Sequence, residues 1–419
     1  MTKVVKSSKR LLIISSYGIP CGIAQYAEHL VPVLQRESGE NYEIDIAALD
    51  VRLLKTGTRF AKKLAKQHLN EIANRAKAAD IVNIQLEPGL FGSSPFEIKR
   101  RLKLLLRASR RVIITHHTIL DLRDTSWNLP LSRKQLYQLA RNLSMVYVLG
   151  WLYRYSRANT EKLFHIVQTR LDQGAFIMLG MPSDRVVASP LAFIDQNQRS
   201  SPDFIGNDPL SYLPLSDDAI VIGVFGFLSP YKGFEVIIRA MDLLPTNYHL
   251  LVVGGLHPEG IVQHSTKQPY ISELLSEIEP KGKRVNLATA LRFAKERLKR
   301  IHFIGHLGND EFVHYMRACD TIVLPYAEVG QRSSGPASMA IDLDKRILCS
   351  RNICFSQLNT YAGAVELFEI GNHAELAQKL QNKDHCQEQR QQHRSKYSLE
   401  CRARLYLDAA DKLLEALPA

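Results

Sequence analysis

The sequence predicts an α/β protein made of two doubly wound, Rossmann-like domains in tandem. Three observations carry that expectation. Short β-branched apolar runs alternate with helical stretches along most of the chain, the pattern of parallel strands covered on both faces. The rhythm breaks once, between Asp195 and Asp218, in a segment rich in Pro, Ser, Asn and Asp, which reads as a linker. The length, 419 residues, exceeds what one hydrophobic core usually serves.

The elements follow in order. RLLIISS reads as a strand, followed by a glycine-bearing loop and the helix AQYAEHLVPVLQRE. YEIDIAAL, DIVNIQLE, RVIITHHT and HIVQT are the next strands. Beyond the linker the alternation restarts with the strands AIVIGVFGF, YHLLVVGG, RIHFIGH, DTIVLPY and RILCS. FEVIIRAMDLL, ISELLSEI and DEFVHYMRAC are helices between them. The expected organisation is a first domain over 1–195, a linker over 196–217 and a second domain over 218–395. Residues 396–419 form a C-terminal helix that can cross back to the first domain.

The composition is that of a globular chain, 45% hydrophobic and 23% charged, so disorder is not expected. Net charge is +12, which favours anionic partners. The six cysteines form no Cys-x-x-Cys pair, which argues against a disulfide framework or a zinc site and fits a reducing compartment. The N-terminal apolar run LLII is too short for a signal-peptide core, and no stretch has the length of a membrane span.

Two segments of the first domain are strongly basic. Residues 52–77 carry eight Lys/Arg against Glu71, with Phe60, Leu64, Leu69 and Ile72 on one expected helical face. Residues 99–111 carry seven Lys/Arg and no acid, with Ile98, Leu102 and Leu105 on one face. Basic amphipathic helices of this kind suit either a solvated outer face or an anionic membrane surface, and both readings stand. A nucleic-acid role is not expected, because the cations lack interleaved aromatics and no nucleic-acid motif occurs.

In doubly wound sheets ligands gather at the carboxyl ends of strands, and that rule sorts the candidates. Gly18 and Gly22 lie between the first strand and its helix, whose free N–H groups suit an anion or a sugar hydroxyl. His116 and His117 end a strand; a His pair is often structural, but this position favours a functional role for one of them. Asp121 and Asp124 follow without a defined ligand geometry, so no metal is expected. In FGFLSPYKGFEVIIRAM, Lys232 places a positive charge where a helix opens, and Gly233 lets backbone approach a ligand. In LPYAEVGQRSSGPASMAI, Glu328 and Gln331 precede Ser333, Ser334 and Gly335, which open a helix with Pro336 in its first turn. Such a helix start can meet a phosphate. Asp342-Leu343-Asp344 resembles a metal-holding Asp-x-Asp but lies at the wrong end of the sheet.

At these residues the chain resembles the family 4 glycosyltransferases of the GT-B fold. CGIAQYAEHL resembles the family's first glycine loop. ADIVNIQLEPGLFG and VIITHHT are similar to two further family segments, the second placing the active-site histidine at His117. FGFLSPYKGFEVIIRAM resembles the GR-x-x-x-x-KG motif, and IHFIGHLGNDEFVHYMRACDTIVLPY is similar to the family over its whole length. Where the family carries the arginine of that motif and two donor-loop glutamates, this chain has Phe227, Gln331 and Met339.

The resemblance implies two Rossmann-like domains facing a cleft and transfer of a sugar from a nucleotide diphosphate with retention of configuration, without a metal or other cofactor. It implies a donor site of Gly226, Lys232, Gly233, Glu328, Gln331, Ser333, Ser334 and Gly335. His117, Lys232 and Glu328 would be catalytic, with Gly18 and Gly22 on the acceptor or phosphate side. The expected partners are a nucleotide-diphosphate sugar, a glycan or lipid-linked acceptor, and an anionic membrane surface met by 52–77 and 99–111. The expected location is the cytoplasm, at the inner face of the membrane. The alternative is a degenerate GT-B protein that binds sugars or serves as a partner subunit.

Overall fold

The computed structural model describes residues 8–119, 133–200, 208–256, 268–278 and 297–416. Asp121, Asp124 and the centre of the expected linker lie outside them. The chain divides into two compact units, Met1–Phe193 with Leu399–Ala419, and Ile194–Ser398.

The first unit holds a parallel sheet of β1 (Lys9–Ser15), β2 (Tyr42–Ala48), β3 (Ile81–Leu86), β4 (Val112–His116), β5 (Leu163–Val167) and β6 (Val186–Ala188). The strand order is β2-β1-β3-β4-β5-β6. Every residue of β3, β4 and β5 is buried, which is why these strands read as continuous apolar runs. The order reverses between β1 and β3, so the crevice at their carboxyl ends is the expected ligand site.

The second unit repeats the plan with β7 (Ile220–Phe225), β8 (Tyr248–Val253), β9 (Ile301–Gly305), β10 (Thr321–Leu324), β11 (Arg346–Ser350) and β12 (Glu366–Phe368). Its order is β12-β11-β10-β7-β8-β9, again all parallel. The reversal falls between β7 and β10, the two strands whose following loops carry Lys232 and Ser334. The edge strands β6 and β12 are three residues long, too short to leave a periodic signal.

The first basic segment folds differently from expectation. Residues 52–77 form two helices, Val51–Lys55 and Arg59–Ala78. The core face of the second is Ala61, Ala65, Leu69, Ile72, Ala73 and Ala76. Phe60 and Leu64 are 71% and 37% exposed. The alanines let the backbone lie close to its neighbours, which turns the face by one residue and leaves the larger side chains outside. The helix Pro95–Ala108 buries Ile98, Leu102 and Leu105 as expected, capped by Ser94, whose Oγ accepts from the Glu97 N–H at 3.2 Å. Two of its region's cations are internal. Arg101 donates to the Leu54 and Phe91 carbonyls at 2.8 and 2.7 Å, and Arg111 to the Leu413 carbonyl at 3.1 Å.

The C-terminal helix Leu399–Ala416 packs on the first-unit helix Gly22–Ser38. It carries Arg402 and Tyr406 into the interior of that unit, where both are buried.

Candidate functional site

The second unit's candidate site is built from the loops after β7 and β10. A single 3-10 turn, Pro230–Lys232, follows β7 and ends at Gly233, from which the helix Phe234–Ala240 starts. Gly233 has φ +66, and a Cβ there would sit 2.1 Å from the Pro325 carbonyl oxygen. Packing against the chain's own backbone therefore requires glycine at this position. The two loops are also joined by the Ala327 N–H, which donates to the Tyr231 carbonyl at 2.7 Å.

That junction buries Lys232, which is 7% exposed. Its ammonium lies 3.7 Å from the Tyr326 ring centroid and 4.9 Å from that of Tyr231. Neither ring is a counter-ion, and among the described residues the ammonium has no ion pair. Burial consequently lowers its pKa to about 7. The neighbouring Cys354 thiol, pushed up to about 12 by its own burial, is neutral near pH 7 and offers no balancing charge. A buried, uncompensated amine at a switch point is a ready acceptor of an anion. Gly226 completes this corner: a Cβ there would meet Lys232 Cε at 3.6 Å.

The other expected donor residues split into two groups. Ser334 caps the helix Gly335–Asp342, its Oγ accepting from the Ala337 N–H at 3.4 Å, and lies 3.3 Å from the Tyr326 hydroxyl. Tyr326 thus touches both Lys232 and the helix start. Ser333 and Gly335 flank the cap, and the Gln331 amide donates to the Ser333 carbonyl. Glu328 behaves otherwise. One carboxylate oxygen accepts from the Gly330 N–H at 2.8 Å, the other from the Ile353 N–H at 2.7 Å. It braces its own loop against the start of the helix Ile353–Asn359, because free N–H groups at a helix N-terminus draw a carboxylate.

Arg332, given no role from sequence, is buried and lies close enough to Cys354 for its guanidinium to favour the thiolate, as Lys232 does. Its neighbours in sequence are polar, so nothing local marked it as internal. Met339 is 1% exposed and belongs to the core. Phe227 stacks on His306, with centroids 6.5 Å apart and planes 10° apart. Asp342 accepts from the Ile194 N–H at 3.0 Å, and Asp344 pairs with Arg390 and Arg394; this Asp-x-Asp is structural.

In the first unit the candidates stand at the carboxyl ends of β1 and β4. Gly18, at φ +66, donates its N–H to Glu28 at 2.8 Å, so that group is not free for a ligand. Gly22 opens the helix Gly22–Ser38 without a side-chain cap, and nothing lies within 4 Å of where its Cβ would be. The His pair divides. His116 is wholly buried, 3.0 Å from His165 and against Phe176. His117 is half-buried, its Nε2 2.7 Å from Gln85 Oε1 and its ring edge-on to Tyr26. Burial and the Arg402 guanidinium lower its pKa to about 3, so the ring is neutral near pH 7.

Among the described residues no cluster of three or more His, Cys, Asp or Glu could hold a metal ion. Among the described residues no helix is long and apolar enough to cross a membrane.

Two parallel sheets of this order, each with its candidate residues at a switch point, define the two-domain GT-B architecture, and solved structures of that class match over the whole chain. HepE from Anabaena, in complex with UDP and glucose, is 16% identical over 96% of this chain and 99% of its own, with a TM-score of 0.61. Sucrose-phosphate synthase from Thermosynechococcus elongatus is 14% identical over 98% and 100%, at 0.62. A protein described as a UDP-N-acetylglucosamine 2-epimerase, from Listeria monocytogenes, is 14% identical over 98% of each chain, at 0.59. No family model matches the chain, and no curated protein matches it.

Proposed function

We propose that the protein is a glycosyltransferase that uses a nucleotide-diphosphate sugar. The observation that carries this reading is Lys232: a buried amine without a counter-ion, beside a capped helix start, at the switch point of the second sheet. A diphosphate would supply the negative charge that Lys232 lacks. HepE, which shares the fold, binds UDP and glucose, which favours a uridine nucleotide as the first donor to test.

In this reading the second unit binds the diphosphate through Lys232 and the N–H groups at Ser334–Gly335. Arg332 supplies the second positive charge that Phe227 does not. The bond between the sugar's anomeric carbon and the diphosphate oxygen breaks, and a bond to an acceptor hydroxyl forms on the same face. The acceptor's proton passes to the departing phosphate. Preorganised positive charge stabilises that anion as it develops. His117 meets the sugar, and Gly22 lies on the acceptor side. The chain's own cations do this work, and no metal is invoked.

The acceptor we infer is a glycan or a lipid-linked sugar held at the inner face of a membrane. The helices Arg59–Ala78 and Pro95–Ala108 support this. They expose Phe60 and Phe96 among Arg59, Lys62, Lys63, Lys66, Arg100 and Lys103, an arrangement suited to acidic lipid.

Calorimetric titration with UDP, GDP and ADP, then with their sugars, tests the reading. Selective binding that Lys232→Ala abolishes supports it. No binding to any nucleotide supports the degenerate reading instead, which the core placement of Met339 and the aromatic at Phe227 favour.

A further inference from the structure

The hydrogen-bond pattern behind His117 fixes more than its place. It starts at an obligate acceptor, the Ile113 carbonyl, 3.1 Å from the side-chain nitrogen of Asn83. That contact makes the Asn83 nitrogen the donor and turns its oxygen toward Gln85. The Gln85 atom 2.7 Å from that oxygen must then be nitrogen. The same nitrogen donates its second hydrogen to the Tyr406 hydroxyl, at 3.3 Å. With both N–H groups committed, Gln85 has only its oxygen to offer His117, at 2.7 Å from Nε2. An amide oxygen accepts and cannot donate. Nε2 therefore carries the proton, and Nδ1 is left as a bare acceptor, with no partner among the described residues.

Tyr406 is itself held. Its hydroxyl lies 2.7 Å from Thr115 Oγ1 and 3.2 Å from the Tyr26 hydroxyl. The Tyr26 hydroxyl in turn accepts from Arg402 Nε, while Arg402 Nη1 donates to the Ser189 and Pro190 carbonyls at 2.7 and 2.8 Å. Asn83, Gln85, Thr115, Tyr26, Tyr406 and Arg402 are all buried. A reversed Gln85 amide would face its oxygen at that of Asn83 and leave a buried N–H without an acceptor, an arrangement that folded interiors disfavour.

We propose that Gln85 is a positioning residue that locks His117 in its Nε2–H tautomer, so that Nδ1 accepts a hydrogen bond from a ligand hydroxyl. The group recognised is therefore a hydrogen-bond donor, in the donor reading a sugar hydroxyl, and not an ionised phosphate oxygen, which has no hydrogen to give. The identity of that hydroxyl rests on the donor reading above; the tautomer does not.

Long-range proton–nitrogen NMR correlation on the full chain, labelled with 15N-histidine, reads the tautomer without turnover. His117→Asn assigns the signal among the 14 histidines. The wild type is expected to show protonated Nε2 and unprotonated Nδ1, unchanged from pH 8 to pH 5. Gln85→Leu is expected to bring in the Nδ1–H form. Gln85→Glu keeps an acceptor at Nε2 but adds a negative charge, so His117 should then titrate within that range. An Nδ1–H wild type, or an unchanged tautomer in Gln85→Leu, overturns the proposal. If Gln85→Leu does not fold, Gln85→Glu decides, and a His117 that stays neutral to pH 5 overturns it. Absence of nucleotide binding alongside the expected tautomer would defeat the donor reading alone.

Discussion

Gly233 and Pro325 meet at backbone contact: no Cβ fits on Gly233 without coming 2.1 Å from the Pro325 carbonyl oxygen. This contact ties the loop after β7 to the loop after β10 and seats Lys232 under Tyr326. Gly233→Ala must therefore both adopt a left-handed backbone and open the junction. We expect a loss of about 1–3 kcal/mol, the usual cost of overpacking, read by urea denaturation. Wild-type stability in this variant would show that the junction is loose.

Lys232→Ala is expected to retain the wild-type thermal transition or to raise it slightly, since an uncompensated buried amine is removed. It should lower transfer by about 100- to 1000-fold, the usual effect of losing one preorganised charge partner. Steady-state transfer and thermal denaturation of the same preparation check both statements.

Binding of a nucleoside diphosphate should take up protons. In the free protein Lys232 has its pKa lowered to about 7 by burial, so at pH 8 the amine is mostly neutral. A bound diphosphate favours the charged form and raises that pKa. Uptake should approach one proton near pH 8 and vanish below about pH 6, where the free amine is already charged. Calorimetry in buffers of different ionisation enthalpy measures it, and Lys232→Ala should show none.

Glu328→Gln should affect stability more than substrate affinity. The carboxylate accepts from two backbone N–H groups, and an amide can replace only one of those acceptors. A loss of about 1 kcal/mol with little change in KM is expected from paired denaturation and kinetic measurements. A large fall in kcat with stability unchanged would restore Glu328 to the catalytic role its sequence position suggested.

The exposed aromatics give the membrane reading a sharper test than charge alone. Phe60→Ser with Phe96→Ser should weaken sedimentation with phosphatidylglycerol vesicles several-fold at low salt while leaving nucleotide binding intact. Each nearby Lys or Arg contributes about 1 kcal/mol, so salt should release the wild type too. Equal sedimentation of variant and wild type would assign the basic helices to solvent.

The sequence by itself determined the alternation of strands and helices and the carboxyl ends at which Lys232, Ser334 and His117 stand. Those features depend on periodicity, caps and turns, which act over a few residues. What it could not determine was which polar groups turn inward. Arg101 ends on the Leu54 and Phe91 carbonyls, and Glu328 on two backbone N–H groups. His116 goes into the core and His117 to its edge, although the two are adjacent and chemically alike. Gln85 owes its orientation to Asn83 on its own strand and to Tyr406, more than 300 residues away. Burial and hydrogen-bond partnership are set by segments remote in the chain that the fold brings together, and only the tertiary structure decides them.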